Sequence, residues 1–347
     1  MPVKREANNR QQQIGVLRIW PVVWPILLYN LLEMTVGLAD LMMVRPLGTD
    51  ATAAVGVCRQ ITFLIEAVAI GITAGVTTRI SQAFGAGDTQ RVNRLVIQAV
   101  HLAWICAVAS TLLGLSLSSA ALEWLHVQGP ARAQATVYLH FYFAGLVFSW
   151  ATLMATAILR GYGDVRTPLR IAVGMNAANI VLNYLFIHGA GTLPALGVGG
   201  AALGTLLARA AAAVFFFLTL RHGFRIRATA VGAHVPRGLD SNELVQTLRL
   251  GVPLSGAALL RTGARLVYLS IVGTAFGTSL QAAVAIGMQL RLVGILPALA
   301  FQVTINMLVG QSIGKRNTQE ARLVGQRAIA MLAGVVLVTT LGLVLLS

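Results

Sequence analysis

The chain has 347 residues, 56% of them hydrophobic and only 11% charged, with a mean hydropathy of +0.76, whereas a soluble globular domain carries roughly 25% charged residues. Apolar runs of 20 or more residues also exclude a β-barrel, whose strands alternate over about ten residues. The net charge of +15 would suit nucleic acid, but 18 of the Lys and Arg residues lie in alternate loops, only Arg45 and Arg132 in the others and six arginines within apolar spans, which is the positive-inside pattern of a membrane protein. The fold class expected is an all-α polytopic membrane protein with about nine transmembrane helices, its N-terminus cytoplasmic and its partners the lipid bilayer and a small molecule.

The first 18 residues are polar and carry Lys4, Arg5, Arg10 and Arg18 without a cleavage site, so they are expected to stay attached on the cytoplasmic side. The first span, 20–44, is long enough to cross about 30 Å of hydrocarbon. Within it Asn30, Glu33, Gly37 and Asp40 are spaced three, four and three apart, which puts them on one helical stripe. A carboxylate at membrane depth costs roughly 2.5 to 3.5 kcal/mol on insertion scales, so a wet or paired site at Asp40, and then at Glu33, is the reading set against a merely packed polar seam.

The second span, 53–80, brings Arg59 and Glu66, the latter at the depth of Glu33. Spans at 96–118 and 136–158 follow, and then the basic loop RGYGDVRTPLR. The fifth span, 171–186, carries Asn176, Asn179 and Asn183, three and four apart, a second polar stripe. Asn179 falls near the depth of Glu33 and Asn183 near that of Asp40. The sixth span, 199–220, has Gly200 and Gly204 in a small-xxx-small pattern, with Arg209 at mid-span. A basic linker over 223–249 precedes spans at 252–272, holding Arg261 and Arg265, at 282–309, holding Arg291, and at 328–346. Those three arginines are expected to neutralise Glu33 or Glu66, or else to meet an anionic substrate. Cys58 and Cys106 lie on separate spans and are expected as packed thiols.

The chain repeats itself. GTDATAAVGV from Gly48 matches GTSLQAAVAI from Gly277, and SQAFGAGDTQ from Ser81 matches GQSIGKRNTQ from Gly310, both at a shift of 229 residues. Six spans separate each match from its counterpart, so the halves share an orientation and are related by an axis along the membrane normal, with a site expected between them. The division expected is a six-helix bundle over 1–222, the linker, and the first three helices of a second bundle over 250–347. The shift equates Ser347 with Ser118, so a twelve-helix architecture is expected to need about 104 further residues, and a nine-helix product alone is expected to have little activity.

With these residues in view, the sequence resembles the multidrug and toxic compound extrusion transporters. The resemblance rests on Pro25 and Asp40 in the first span, SQAFGAGD, LRGYGDVRTP, the run NIVLNYLFIHGAGTLPALGVGGAALGT and LVGQSIG. It implies two bundles forming a cleft, export of organic cations or amphiphilic drugs by antiport with protons or sodium, no cofactor beyond that ion, and a coupling site at Asp40, Asn179 and Asn183. Two departures stand out: family members often have an acid where this chain has Asn183, and VRPLG replaces the more usual VGRLG. Independently of the resemblance, a carboxylate beside two amides suits one proton or one sodium ion. A lipid-linked oligosaccharide flippase of the wider superfamily is the alternative. A membrane enzyme is disfavoured, since the six histidines lie on separate segments and no HExxH or nucleophile motif occurs.

Overall fold

A computed structural model describes the backbone of residues 2–125, 127–189, 194–231 and 238–345, and the side chains of 19–125, 127–189, 194–221, 238–264, 267–268, 271 and 294–342. With no water to satisfy backbone groups, a spanning chain must bond its peptides internally, and the described residues form nine α-helices and no strand. They are α1 Pro2–Val44, α2 Thr49–Gly85, α3 Thr89–Trp124, α4 Gly129–Ala144, α5 Leu146–Gly161, α6 Arg166–His188, α7 Val198–Val231, α8 Ser241–Gly314 and α9 Thr318–Leu345, with a short 3-10 turn Arg45–Leu47 after α1. Seven stretches are long and apolar enough to cross a bilayer, eight when α4 and α5 count as one.

Two expectations are corrected in detail. The fourth span is two helices bent by 48° at Gly145, whose N–H is shared between the Phe141 and Tyr142 carbonyls at 3.0 and 3.1 Å. The stretch 241–249, read as linker, is helical and opens α8. Asp240 caps that start by accepting from the Asn242 and Glu243 amides at 3.0 and 3.3 Å, which satisfies two N–H groups that a helix start leaves unpaired. Helical geometry runs unbroken over 241–314, where two spans were expected. A straight rod of that length would extend about 110 Å. Instead the first limb runs antiparallel to α2, Thr247 beside Gly75 and Ser255 beside Gly71, and the last limb runs parallel to it, Gly310 beside Ser81 and Gly314 beside Gln82. The two limbs therefore take the directions expected of the seventh and eighth spans.

The repeat is visible bond by bond. After α2, the amides of Ala86, Gly87 and Asp88 donate to the carbonyls of Gln82, Phe84 and Ala83, and after α8 those of Lys315, Arg316 and Asn317 donate to Gln311, Ile313 and Ser312, each at 2.9 to 3.1 Å. Asp88 then caps α3 through the Arg91 amide and Asn317 caps α9 through the Glu320 amide. The turn needs a left-handed residue, supplied by Gly87 at φ 71° and by Arg316 at φ 58°.

These equivalent turns also touch. Gly85 packs on the Gln311 backbone while Gly314 packs on the Gln82 backbone, and Ser81 meets its own counterpart, Gly310. Such reciprocity is the signature of a two-fold interface, and it places a local pseudo-two-fold axis at the end of the molecule bearing the basic loops. Apolar packing reinforces it: Ile19, Val23 and Ile26 of α1 form one buried cluster with Ala300, Phe301, Met307 and Ala328 of α8 and α9. The larger core joins α2, α3, α4 and α5, with Leu139, Phe143, Trp150 and Ile158 at most 2% exposed.

Candidate functional site

Three helices deliver the polar residues. The three-and-four spacing on α6 places Asn176, Asn179 and Asn183 on its buried face, at 5%, 2% and 0% exposure. That face packs on α7, where Gly200 lies against the Phe186 carbonyl and Gly204 against Asn183. A Cβ at Gly204 would fall on the Asn183 amide oxygen. The small-xxx-small pair thus leaves room for a polar side chain between two close helices.

Into that space α1 brings Asp40, itself 8% exposed. Asn183 Nδ2 donates to Asp40 Oδ1 at 2.6 Å and lies 3.3 Å from Asn179 Oδ1, and Asn179 Nδ2 donates to Thr205 Oγ1 at 2.9 Å. Thr205 in turn donates to the Ala201 carbonyl at 2.9 Å. Asp40, Asn179 and Asn183 are therefore brought together, as the two stripes predict. Among the described residues the second carboxylate oxygen of Asp40 takes no donor, and Asn183 Oδ1 is buried without a partner. An ionised carboxylate is best served by two or three donors, so the cluster holds Asp40 while leaving it short of ligands.

The other candidates separate. Glu33 and Tyr29 on α1 line a small pocket with Thr152 and Leu153 of α5, Ile171, Ala172 and Met175 of α6, and Arg209 and Phe216 of α7. Glu33 and Glu66 are half-buried and make no ion pair at contact distance among the described residues. The charges that reach Glu66 are those of Arg209, Glu33 and Arg59. Arg209 donates to Ser149 Oγ at 2.9 Å. Asn176 has both amide atoms unpartnered, and Asn30 is half-buried with no hydrogen bond among the described residues.

The expectation that arginines of the second half neutralise Glu33 or Glu66 is not met at Arg261, which is exposed. Arg265 and Arg291 lie outside the described side chains. Among the described residues the guanidiniums whose charge reaches these acids belong to the first half, Arg209 on α7 and Arg59 on α2.

Four positions of the polar and charged network were given no role by the sequence reading. Thr205 is signalled only by its place after Gly204 and one turn before Arg209. Arg59 donates through Nη1 to the Gly37 carbonyl, one turn from Asp40, and its guanidinium stands 5.5 Å from the Phe63 ring centroid. Arg79 and Glu243 form the third and fourth: Arg79, 9% exposed, bonds to Glu243 and to Gln246 of α8, and Arg91 Nε lies 3.4 Å from the other Glu243 oxygen. This cluster ties the two halves at the basic end. Cys58 is buried, its thiol 3.5 Å from the Ala135 carbonyl, and Cys106 is half-buried.

A family profile, MatE, matches residues 25–185 and 253–347. The chain is similar to a probable multidrug resistance protein NorM of Thermotoga maritima, 29% identical over 293 residues, 84% of this chain and 61% of that one. It is also similar to the probable multidrug resistance protein YoeA of Bacillus subtilis, 30% identical over 308 residues, 85% of this chain and 65% of that one. Among solved structures, a multidrug resistance MATE family transporter of the MOP superfamily in an outward-facing conformation matches with a TM-score of 0.82 at 26% identity, over 92% of this chain and 69% of that one. The chain thus spans 61 to 65% of the length of these two curated relatives.

Proposed function

The chain belongs to the MatE family of multidrug and toxic compound extrusion transporters, and we propose that it exports amphiphilic small molecules in exchange for a proton or a sodium ion taken up at Asp40. The observation that carries this reading is the bond from Asn183 to one oxygen of Asp40, with the other oxygen taking no donor among the described residues, at a carboxylate only 8% exposed. A proton or a small cation completes that coordination. Asn179, Asn183 and Thr205 hold the carboxylate in place, so its loading is felt directly at the junction of α1, α6 and α7.

Exchange follows from two packings of the halves. The basic end, which the positive-inside pattern assigns to the cytoplasm, is closed by the α2–α8 contacts, as in an outward-open transporter. Residues 1–222 act as one bundle, rocking against the spans over 250–347. The setting is a bacterial-type cytoplasmic membrane, with the N-terminus inside. Loading Asp40 changes the charge at the α1–α6–α7 junction and so the relative cost of the two packings.

Vesicles loaded with an amphiphilic dye that carries an ammonium group test this reading. An imposed proton or sodium gradient is expected to drive dye movement in the wild type, and Asp40→Asn to abolish it with the protein still inserted. Gradient-independent behaviour, or movement of a lipid-phosphate analogue alone, contradicts the reading; the second result supports the flippase alternative.

A further inference from the structure

The spanning part of the first half carries three carboxylates, Glu33, Asp40 and Glu66, against the guanidiniums of Arg59 and Arg209, with Arg160 at the end of α5 and Arg79, which is paired with Glu243. With Arg160 counted, it has no surplus negative charge with which to attract a simple organic cation. The balance is local as well as global. Arg59 is fixed to the Gly37 carbonyl, and Gly37 and Asp40 lie three apart on the same face of α1. A Cβ at Gly37 would collide with the guanidinium, so the glycine is what lets Arg59 lie against α1. The charged groups that reach Asp40 are Arg59 and then Arg209, while Tyr138 of α4 lies within the reach of its charge and Asn183 of α6 donates to it.

We propose that Arg59 determines the specificity of the Asp40 site, making it select zwitterionic amphiphiles, whose ammonium faces Asp40 and whose anionic group faces Arg59, over amphiphiles bearing a positive charge alone. The proposal rests on the reading of Asp40 as the exchange site. A guanidinium recognises carboxylate and phosphate through paired N–H donors, and Arg59 has donors beyond the one given to Gly37. The exposed Phe63 and Leu64 on the same helix supply apolar surface beside it. A bare cation at this site is drawn by Asp40 but repelled by Arg59, and has no group of its own to satisfy the guanidinium. A zwitterion satisfies both charges, and loading Asp40 with a proton or sodium removes the partner of its ammonium. Exchange is thereby kept.

The test uses the full chain in lipid nanodiscs and two fluorescent probes with the same apolar body, one carrying an ammonium group only, the other an ammonium and a carboxylate. The wild type is expected to bind the zwitterionic probe at least tenfold more tightly than the cationic one. Arg59→Gln should reduce that ratio at least tenfold, Arg59→Lys should keep most of it, and Gly37→Ala, which displaces the guanidinium without removing its charge, should fall between. Equal or tighter binding of the cationic probe by the wild type, an unchanged ratio in Arg59→Gln, or no binding of either probe overturns the proposal. Asp40→Asn should weaken both probes. If it weakens neither, the Asp40 reading fails on its own, separately from the ratio that reports Arg59.

Discussion

Both the α6–α7 junction and the α2–α8 seam depend on glycines that bring helices close, and Gly200 lies on backbone as the seam glycines do, yet Gly204 uses its space in the opposite way. At α6–α7, Gly204 yields its volume to a side chain, Asn183, which then reaches Asp40. At α2–α8, Gly85 and Gly314 yield theirs to backbone, and the seam is held by the reciprocal contact, by the bond from Ser255 to the Val68 carbonyl and by the polar cluster at Glu243. A side chain can rotate away from an intruding methyl, while a helix backbone must move as a body. Gly204 should therefore tolerate change where Gly85 and Gly314 do not.

Substitutions graded by size sharpen that contrast. The largest cost belongs to Gly85→Ala and to Gly314→Ala, each about 3 kcal/mol, at the upper end of overpacking in a rigid setting. Because the contacts are reciprocal, the two should lose nearly equal stability in denaturant melts of the purified protein, and a cost below about 1 kcal/mol at either position would remove the distinction. Next comes Glu243→Ala. Breaking a buried ion pair costs about 3 to 5 kcal/mol, but Gln246 still bonds to Arg79, so a loss of about 2 kcal/mol is expected, with faster thiol labelling of a cysteine placed at Ser312. Unchanged labelling would mean that the cluster does not hold the basic end closed.

Gly204→Ala should cost about 1 to 2 kcal/mol, chiefly by pushing Asn183 off Asp40, and a combined Gly204→Ala, Asn183→Ala protein should lose little more than the single variant. Full additivity of the two would show that the glycine does not act through Asn183. The smallest effect has the opposite sign. Arg316 occupies the left-handed position that Gly87 fills in the first repeat, so Arg316→Gly should raise stability by about 0.5 to 1 kcal/mol, whereas Gly87→Ala should lower it. A rise in the melting midpoint for the first and a fall for the second is the pattern to look for.

Much of the fold was legible because membrane depth, periodicity and repetition are all written in the sequence. The stripes on α1 and α6 placed Asp40, Asn179 and Asn183 on facing surfaces, and the repeat placed Gly85 and Gly314 in equivalent turns. Less legible were features that depend on which helix a side chain leans toward. Arg59 reads as one more arginine in an apolar run until Gly37 is found beneath it. Glu243 sits in a stretch whose polarity suggests a loop, and only its packing against α2 shows why the helix begins so early. Arg261 was expected to neutralise Glu33 or Glu66 or else to meet an anionic substrate; it is exposed and makes no ion pair with either acid among the described residues, because the direction a helix turns its side chain is not written in an apolar run. The bend at Gly145 left no mark in sequence beyond the glycine itself.

The most direct test of the exchange site is the affinity of a fluorescent amphiphile for the purified chain, measured against pH and against sodium concentration in the wild type and in Asp40→Asn. If Asp40 is where ion and substrate compete, acid or sodium weakens binding at least tenfold in the wild type, and the dependence disappears in Asp40→Asn. A pH and sodium dependence that survives the substitution unchanged places the exchange elsewhere in the molecule and contradicts the reading of Asp40 given above.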